Sequence, residues 1–190
     1  MNEYLIILCG GRSQRMGEDK ALLVHEGETL LARHIRLAQA AGFTVCVASG
    51  GTDYPLPPGV IASTDALPDR EGPLSALTGA LAALQDTGAE SALLMPVDTL
   101  VTPAQLAAAL PETPAPFACV IADGTPQPLF ARIALALQPR LAAWLADGVR
   151  RMMPLAALPG VRYVPLPADW PQPFSFNTPA DWQAAQGERA

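Results

Sequence analysis

The 190-residue chain lacks long hydrophobic runs, although half of its residues are hydrophobic. No apolar stretch approaches the roughly 18 residues that a membrane-spanning helix needs. The third residue is the acidic Glu3, where a secretory signal peptide would carry positive charge. The sequence therefore predicts no association with membranes and a cytoplasmic location.

Cysteine is scarce as well. The three cysteines, Cys9, Cys46 and Cys119, each lie in an apolar segment, and no two of them have C-x-x-C spacing. This pattern favours neither a disulfide framework nor a zinc site. We expect three small, buried, unpaired side chains in a reducing compartment.

Positive charge is limited to 12 Lys and Arg residues against 18 Asp and Glu residues, and the net charge is −6. An acidic chain of this kind has no general affinity for nucleic acids or anionic membranes, so an anionic ligand must be met by local cations. With 16% charged residues the chain is globular, and its length predicts one domain over residues 1–190.

Lysine is the rarest cation, because Lys20 is the only lysine beside eleven arginines. It ends a stretch, residues 8–20, that begins within the last two residues of an apolar run at residues 4–9. The stretch also contains Gly10, Gly11, Gly17, Arg12 and Arg15. Glycine lets backbone N–H groups approach a bulky anion, and the cations supply counter-charge, so the composition is typical of a phosphate-binding loop.

The spacing within this loop matches neither of the two common nucleotide-binding loops. Lys20 is followed by Ala21 and lies three residues after Gly17, which excludes a Walker A loop, and the glycines do not form G-x-G-x-x-G. The alternative is an ordinary turn with solvated arginines. The density of glycine and cation after a buried strand favours phosphate binding.

Predicted strands alternate with predicted helices through the first half of the chain. We expect strands at residues 4–9, 43–48, 60–62 and 91–96, helices at 30–41, 74–84 and 103–110, and further apolar runs at 117–122, 129–133 and 161–166. Helices are also predicted at 139–146 and after the N-cap residue Thr178. This alternation predicts an α/β fold with a mostly parallel sheet covered on both faces.

Ligands of such sheets bind beyond the carboxyl ends of the strands. The glycine loop, Asp65 and Asp98 each follow a predicted strand, so we expect them at one edge of the sheet. Asp98 is either a helix cap or a ligand for Mg²⁺, which prefers one or two carboxylates together with phosphate oxygens and water. Asp65 is either a turn former or a second polar contact in the site.

Four other polar residues carry weaker signals. Arg150 and Arg151 form either a solvated surface or an anion contact. His25 and His34 have no Ser, Cys or carboxylate partner at an informative spacing, so we assign them no role.

Several short motifs together resemble the molybdenum cofactor guanylyltransferases, the MobA family, in the same order along residues 4–182. They are Leu8-Cys9-Gly10-Gly11, Arg15-Met16-Gly17, Asp19-Lys20-Ala21-Leu22, Gly72-Pro73-Leu74, Pro96-Val97-Asp98 and Asn177-Thr178-Pro179. The resemblance implies a three-layer, Rossmann-like nucleotidyltransferase fold. It also implies transfer of GMP from GTP to the terminal phosphate of molybdopterin, with release of pyrophosphate.

The resemblance further implies roles for individual residues. Residues Leu8, Cys9, Gly10, Gly11 and Lys20 would hold the nucleotide, Asp65 would contact it, and Asp98 would bind Mg²⁺. Arg15, Lys20 and Mg²⁺ would stabilise the charge that develops on the phosphates during transfer. The implied partners are GTP, molybdopterin and, transiently, molybdoenzymes or their chaperones.

Three features depart from the family pattern, and one is the asparagine-rich approach to the Asn-Thr-Pro motif, which here is Phe174-Ser175-Phe176-Asn177. Cys9 replaces the usual alanine, a change of small residue for small residue, and Ala48 stands where a guanine-contacting asparagine is expected. Because Ala48 has no polar side chain, the identity of the base stays open. Three functions are considered: guanylyl transfer; cytidylyl transfer to the same cofactor or another nucleotidyl transfer; and non-catalytic nucleotide binding.

Overall fold

The computed structural model describes residues 3–9, 19–68 and 71–187, and a seven-stranded sheet forms its centre. The strands of this sheet are β1 (Glu3–Leu8), β4 (Phe43–Ala48), β5 (Ile61–Ser63), β6 (Ser91–Pro96), β7 (Phe117–Ala122), β8 (Thr125–Ala134) and β9 (Arg162–Pro165). Their order across the sheet is β5-β4-β1-β6-β8-β7-β9. A separate hairpin pairs β2 (Val24–His25) with β3 (Glu28–Thr29).

The described residues also form six α-helices, five of them between strands and one after the last strand. They are α1 (Leu30–Ala40), α2 (Pro73–Leu84), α3 (Pro103–Ala109), α4 (Gln138–Ala146), α5 (Met153–Ala156) and α6 (Pro179–Gly187). Local sequence fixes several starts: the Thr29 side chain accepts from Ala32 N–H, and Thr102 with Gln105 forms a capping box at α3. Proline stands in the first turn of α2 and α3. A backbone N–H in the first turn has no acceptor within the helix, so proline, which lacks this group, is favoured there.

The two faces of β1 bury different side chains, which makes the fold three-layered. Leu5, Ile7 and Cys9 join a core with residues of α1, α3 and α6, whereas Tyr4, Ile6 and Leu8 join a core with residues of α2, α4 and α5. Strand side chains alternate between faces, so an uninterrupted apolar strand is the expected sequence for a central strand covered on both sides. The predicted α/β fold with a mostly parallel sheet is confirmed.

The sheet has one reversed strand, β8, which pairs antiparallel with both β6 and β7. It is longer than the apolar run at 129–133 from which it was predicted, because a tight turn with positive φ at Asp123 and Gly124 joins it directly to β7. The hairpin β2–β3 and the short helix α5 have no counterpart in the sequence prediction. Both are too short for hydrophobic periodicity to reveal.

The chain reverses its direction of travel across the sheet between β1 and β6. From β1 it proceeds outward through β4 to β5, and then returns to β6 on the other side of β1. In open α/β sheets the crevice at such a reversal is where ligands bind. The segments that leave β1 and β6 therefore line the expected site.

Two expectations about composition have structural counterparts. Cys9, Cys46 and Cys119 are buried and unpaired, as predicted. Within the described residues, no helix has the length and apolar character needed to cross a membrane.

Gly79 lets helix α2 approach the segment that follows β5. A Cβ atom at Gly79 would lie 1.8 Å from the Thr64 backbone carbonyl oxygen. Glycine within a helix costs about 1 kcal/mol relative to alanine, so its presence here is explained by the close approach. The contact sets the position of the chain directly before Asp65.

We therefore expect Gly79→Ala to destabilise the protein by about 1–3 kcal/mol, since the backbone of Thr64 must move to admit the methyl group. Gly187→Ala is the matched control, because a Cβ at that helical glycine meets nothing within 4 Å. Urea unfolding of both variants measures the difference. Equal midpoints for Gly79→Ala and the unmutated protein would contradict the packing argument.

Candidate active site

Lys20 and Asp98 form an ion pair at the crevice between β1 and β6. The Lys20 Nζ atom lies 2.5 Å from Asp98 Oδ2, and each side chain is 15% exposed. Lys20 Nζ also donates to the Phe176 carbonyl oxygen at 2.9 Å and to Asn177 Oδ1 at 3.3 Å. Three acceptors therefore surround an ammonium group that has three N–H donors.

Backbone hydrogen bonds hold the segment around Asp98. Val97 N–H extends the sheet by donating to the Leu8 carbonyl at 3.0 Å, and Phe176 N–H donates to the Asp98 carbonyl at 3.1 Å. The buried Thr99 hydroxyl donates to the Phe174 carbonyl. Asp98 is thus fixed between the end of β6 and residues 174–176.

His34 supports the same segment from helix α1. Its Nε2 atom lies 3.3 Å from the Val97 carbonyl oxygen and 3.1 Å from that of Thr99, the two residues that flank Asp98. Both partners are carbonyl oxygens, which only accept, so Nε2 carries the proton and donates to both from a completely buried ring. Burial first, and the nearby Arg33 second, lower the pKa of His34 to about 4, which keeps the ring neutral. Sequence spacing missed this role; the available signal was a histidine within the apolar face of α1.

The motif Asn177-Thr178-Pro179 begins helix α6, as predicted. One Asp181 carboxylate oxygen accepts from the N–H groups of Asn177 at 3.0 Å and Thr178 at 2.9 Å. Thr178 Oγ1 accepts from Asp181 N–H at 3.1 Å. These hydrogen bonds lower the pKa of Asp181 and leave the Asn177 side chain facing Lys20.

The end of β1 is tied to both neighbouring strands. The Leu8 carbonyl accepts from Val97 N–H, and Cys9 N–H donates to the Ala48 carbonyl at 2.9 Å. Burial raises the pKa of the Cys9 thiol, so the group stays protonated. Gly10, Gly11 and Arg15 lie outside the described residues.

Asp65 lies at the same sheet edge as Asp98 but in another cleft. This cleft has a volume of about 520 Å³ and lies beyond β4 and β5, where its polar lining includes Ser49, Thr52, Asp53 and Asp65. Three strand spacings separate β5 from β6, which is about 14 Å. Lys20 and Asp98 can therefore contact one part of a ligand, and Asp65 can contact a different part.

A family model for the MobA-like NTP transferase domain matches residues 5–160 of this sequence. The chain belongs to this family. It is 36% identical to a probable molybdenum cofactor guanylyltransferase of Synechococcus elongatus over 98% of its own length and 99% of the relative's. It is 34% identical to the molybdenum cofactor guanylyltransferase of Sinorhizobium fredii, over 95% and 89% of the two chains.

Solved structures with the same fold include proteins of two kinds. A molybdopterin-guanine dinucleotide biosynthesis protein A from Archaeoglobus fulgidus superposes with a TM-score of 0.71 at 20% identity, covering 96% of each chain. The 2-C-methyl-D-erythritol 4-phosphate cytidylyltransferase of Thermus thermophilus superposes with a TM-score of 0.63 at 19% identity, covering 98% of each chain. At these identities the likeness concerns the fold.

The MobA-like site has few protein groups that could ligate a metal. Among the described residues, no cluster of three or more His, Cys, Asp or Glu side chains could hold an ion by itself. A single carboxylate suits Mg²⁺, which keeps several waters and takes further ligands from substrate phosphates. Asp98, partly exposed and with one oxygen bound by Lys20, fits that kind of shared coordination.

Arg150 is bound to protein groups near the start of α2. Its Nε atom lies 2.5 Å from a Glu71 carboxylate oxygen, and Nη1 donates to the Leu145 carbonyl at 2.7 Å. The Arg150 carbonyl also lies close to Gly72, which begins this helix. Arg151 is exposed. Arg150 thus makes structural contacts, whereas the alternatives of solvated surface and anion contact both remain for Arg151.

We expect His34 to make the protein less stable as the pH falls from about 6.5 to 4. In the unfolded chain the imidazole binds a proton below its usual pKa of about 6.5, whereas in the folded protein it stays neutral until about pH 4. The unfolded state therefore binds more protons in this window, and stability falls by up to about 3 kcal/mol.

His34→Gln tests this pH dependence, because glutamine can donate to the same carbonyls and does not titrate in this range. Unfolding free energies of both proteins are measured between pH 4 and 7.5. The difference between them should shrink or reverse as the pH falls. Two parallel curves would show that the histidine does not supply this proton linkage.

Proposed function

We propose that the protein transfers GMP from GTP to the terminal phosphate of molybdopterin and releases pyrophosphate. The observation that carries the proposal is the Lys20–Asp98 pair at the crevice between β1 and β6. Membership of the MobA-like family and the names of its relatives support this choice of reaction.

The reaction is an in-line attack of one phosphate on another. An oxygen of the molybdopterin phosphate forms a bond to the α-phosphorus of GTP, and the bond from that phosphorus to the bridging oxygen of the β-phosphate breaks. No covalent intermediate with the protein is needed. The protein's contribution is to hold two anions together and to stabilise charge on the α-phosphoryl group and the leaving pyrophosphate.

Lys20 is the described cation best suited to this work. Its ammonium is compact and has three rotatable donors, all of which have protein acceptors before a ligand binds. The longest of these bonds, at 3.3 Å, runs to the exposed end of Asn177. A phosphate oxygen would replace Asn177 at the least cost, while Asp98 and the Phe176 carbonyl keep the ammonium in place.

Asp98 would hold Mg²⁺ together with the triphosphate. Bound there, the ion would neutralise charge on the phosphate oxygens. Arg15 remains our proposal for a second cation on the triphosphate, and Gly10 and Gly11 for its backbone donors. That the transfer of GMP depends on Mg²⁺ is part of the same proposal.

The base would occupy the cleft beyond β4 and β5. Ala48 is fully buried, and its carbonyl already accepts from Cys9 N–H, so it offers little to a base. Asp53 and Asp65 are among the residues that line this cleft. Guanine carries adjacent N–H donors on one edge, which carboxylate oxygens accept, and this complementarity favours GTP.

Ala48 lacks the polar side chain expected to contact guanine. This absence supports a second candidate, which is cytidylyl transfer to the same cofactor. We expect pyrophosphate release with molybdopterin and Mg²⁺ to be faster with GTP than with CTP, by at least about tenfold. The assay compares both nucleotides at equal concentration. Turnover with CTP alone would favour the second candidate, and no turnover with either would leave nucleotide binding without catalysis.

We expect Lys20→Ala and Asp98→Ala each to lower the rate of transfer by about 100-fold or more. Each change removes a charge that acts on the phosphates or on their metal ion. The matched control is Arg36→Ala, which breaks an exposed ion pair with Glu28 on helix α1 and should keep the full rate. Circular dichroism checks the fold, and a near-normal rate in either site variant would refute the role of that residue.

A further inference from the structure

Tyr54 is a buried side chain next to the site that the reaction above does not use. It lies in the segment between β4 and β5, is 7% exposed, and donates its hydroxyl to Asp19 Oδ2 at 2.6 Å. Burial first, and this hydrogen bond second, raise the pKa of Tyr54, so the phenol remains a donor. A short hydrogen bond to a carboxylate is among the stronger kinds in proteins.

Asp19 uses its other carboxylate oxygen to begin the turn that carries Lys20. Oδ1 accepts from Ala21 N–H at 3.0 Å, and the Asp19 carbonyl accepts from Leu22 N–H at 2.9 Å. These bonds form the cap of a 3-10 turn, Lys20–Leu22. The orientation of the Asp19 carboxylate therefore sets the position of the Lys20 backbone. That position in turn sets the point from which the Lys20 side chain extends to Asp98.

Tyr54 is also adjacent to the other cleft of the site. The residues directly before it, Thr52 and Asp53, line the cleft beyond β4 and β5 together with Asp65. Tyr54 thus joins the segment at the base end of the proposed nucleotide site to the turn at the phosphate end.

We propose that Tyr54 is a positioning residue for Lys20 and acts through Asp19. This inference rests on the proposed function for its effect on catalysis, and on geometry alone for its effect on Lys20. The phenol hydroxyl holds the carboxylate, the carboxylate holds the turn, and the turn aims the ammonium at Asp98 and the phosphates. Positioning of this kind affects the rate of the chemical step more than ground-state affinity.

Tyr54→Phe removes the hydroxyl and keeps the ring. We expect kcat for GMP transfer to fall about tenfold with a smaller change in the KM for GTP. Tyr163→Phe is the matched control, because Tyr163 on the edge strand β9 donates its hydroxyl to the Ala156 carbonyl, far from β1 in the strand order. This control should keep the full kcat. An unchanged kcat in Tyr54→Phe would overturn the proposal.

A double-mutant cycle tests whether the effect passes through Asp19. In an Asp19→Ala background the hydroxyl has lost its acceptor, so adding Tyr54→Phe should lower kcat by less than twofold further. Independent, multiplying losses in the double variant would show that Tyr54 acts by another route.

The single lysine supplies a measurement that does not depend on activity. Protein labelled with ¹³Cε-lysine gives one lysine resonance, from Lys20. We expect Tyr54→Phe to shift or broaden this resonance and Tyr163→Phe to leave it unchanged. Identical spectra for Tyr54→Phe and the unmutated protein would overturn the proposal. If the unmutated protein transfers no GMP, the proposed function fails, while these spectra still decide whether Tyr54 positions Lys20.

Discussion

The bond between Lys20 and Asp98 joins two parts of the chain that leave neighbouring strands. Lys20 follows β1, Asp98 follows β6, and the two atoms of the bond lie 2.5 Å apart at the reversal of the sheet. Neither side chain would have a stable position without its surroundings. Lys20 depends on the turn capped by Asp19, and Asp98 depends on carbonyls bound by His34 and on the backbone of Phe176. A partly buried pair of opposite charges is favourable only when such hydrogen bonds satisfy its remaining groups.

The sequence was most informative where one physical signal dominated. Uninterrupted apolar strands such as residues 43–48 predicted a sheet covered on both faces, and proline and threonine at the starts of helices predicted α2, α3 and α6. The position of Asp98 at a strand end followed from the same pattern. Parallel strands bring the residues that follow them to the same edge of the sheet. The edge that carries the site could therefore be predicted without knowing which side chains contact each other.

The contacts themselves could not be predicted, because they join residues far apart in the chain. His34 and Thr99 are 65 positions apart, Tyr54 and Asp19 are 35 apart, and Lys20 and Phe176 are 156 apart. A histidine in an apolar helix face or a tyrosine in a proline-rich loop is compatible with many environments. The pairing of β8 with β6 was also hidden, since residue types do not encode whether an apolar strand runs parallel or antiparallel to a neighbour that is distant in the chain. The antiparallel pairing of β8 with β7 did have a local signal, because Asp123-Gly124 is a two-residue turn typical of hairpins.

The strand order has a mechanical consequence for the protein with its ligand. The cleft lined by Asp65 belongs to the half of the sheet formed by β4 and β5, whereas Asp98 belongs to β6 on the far side of β1. A nucleotide that filled both places would cross four strands at right angles, about 14 Å from end to end. It would act as a brace across the carboxyl ends of these strands, where the pairing between them ends.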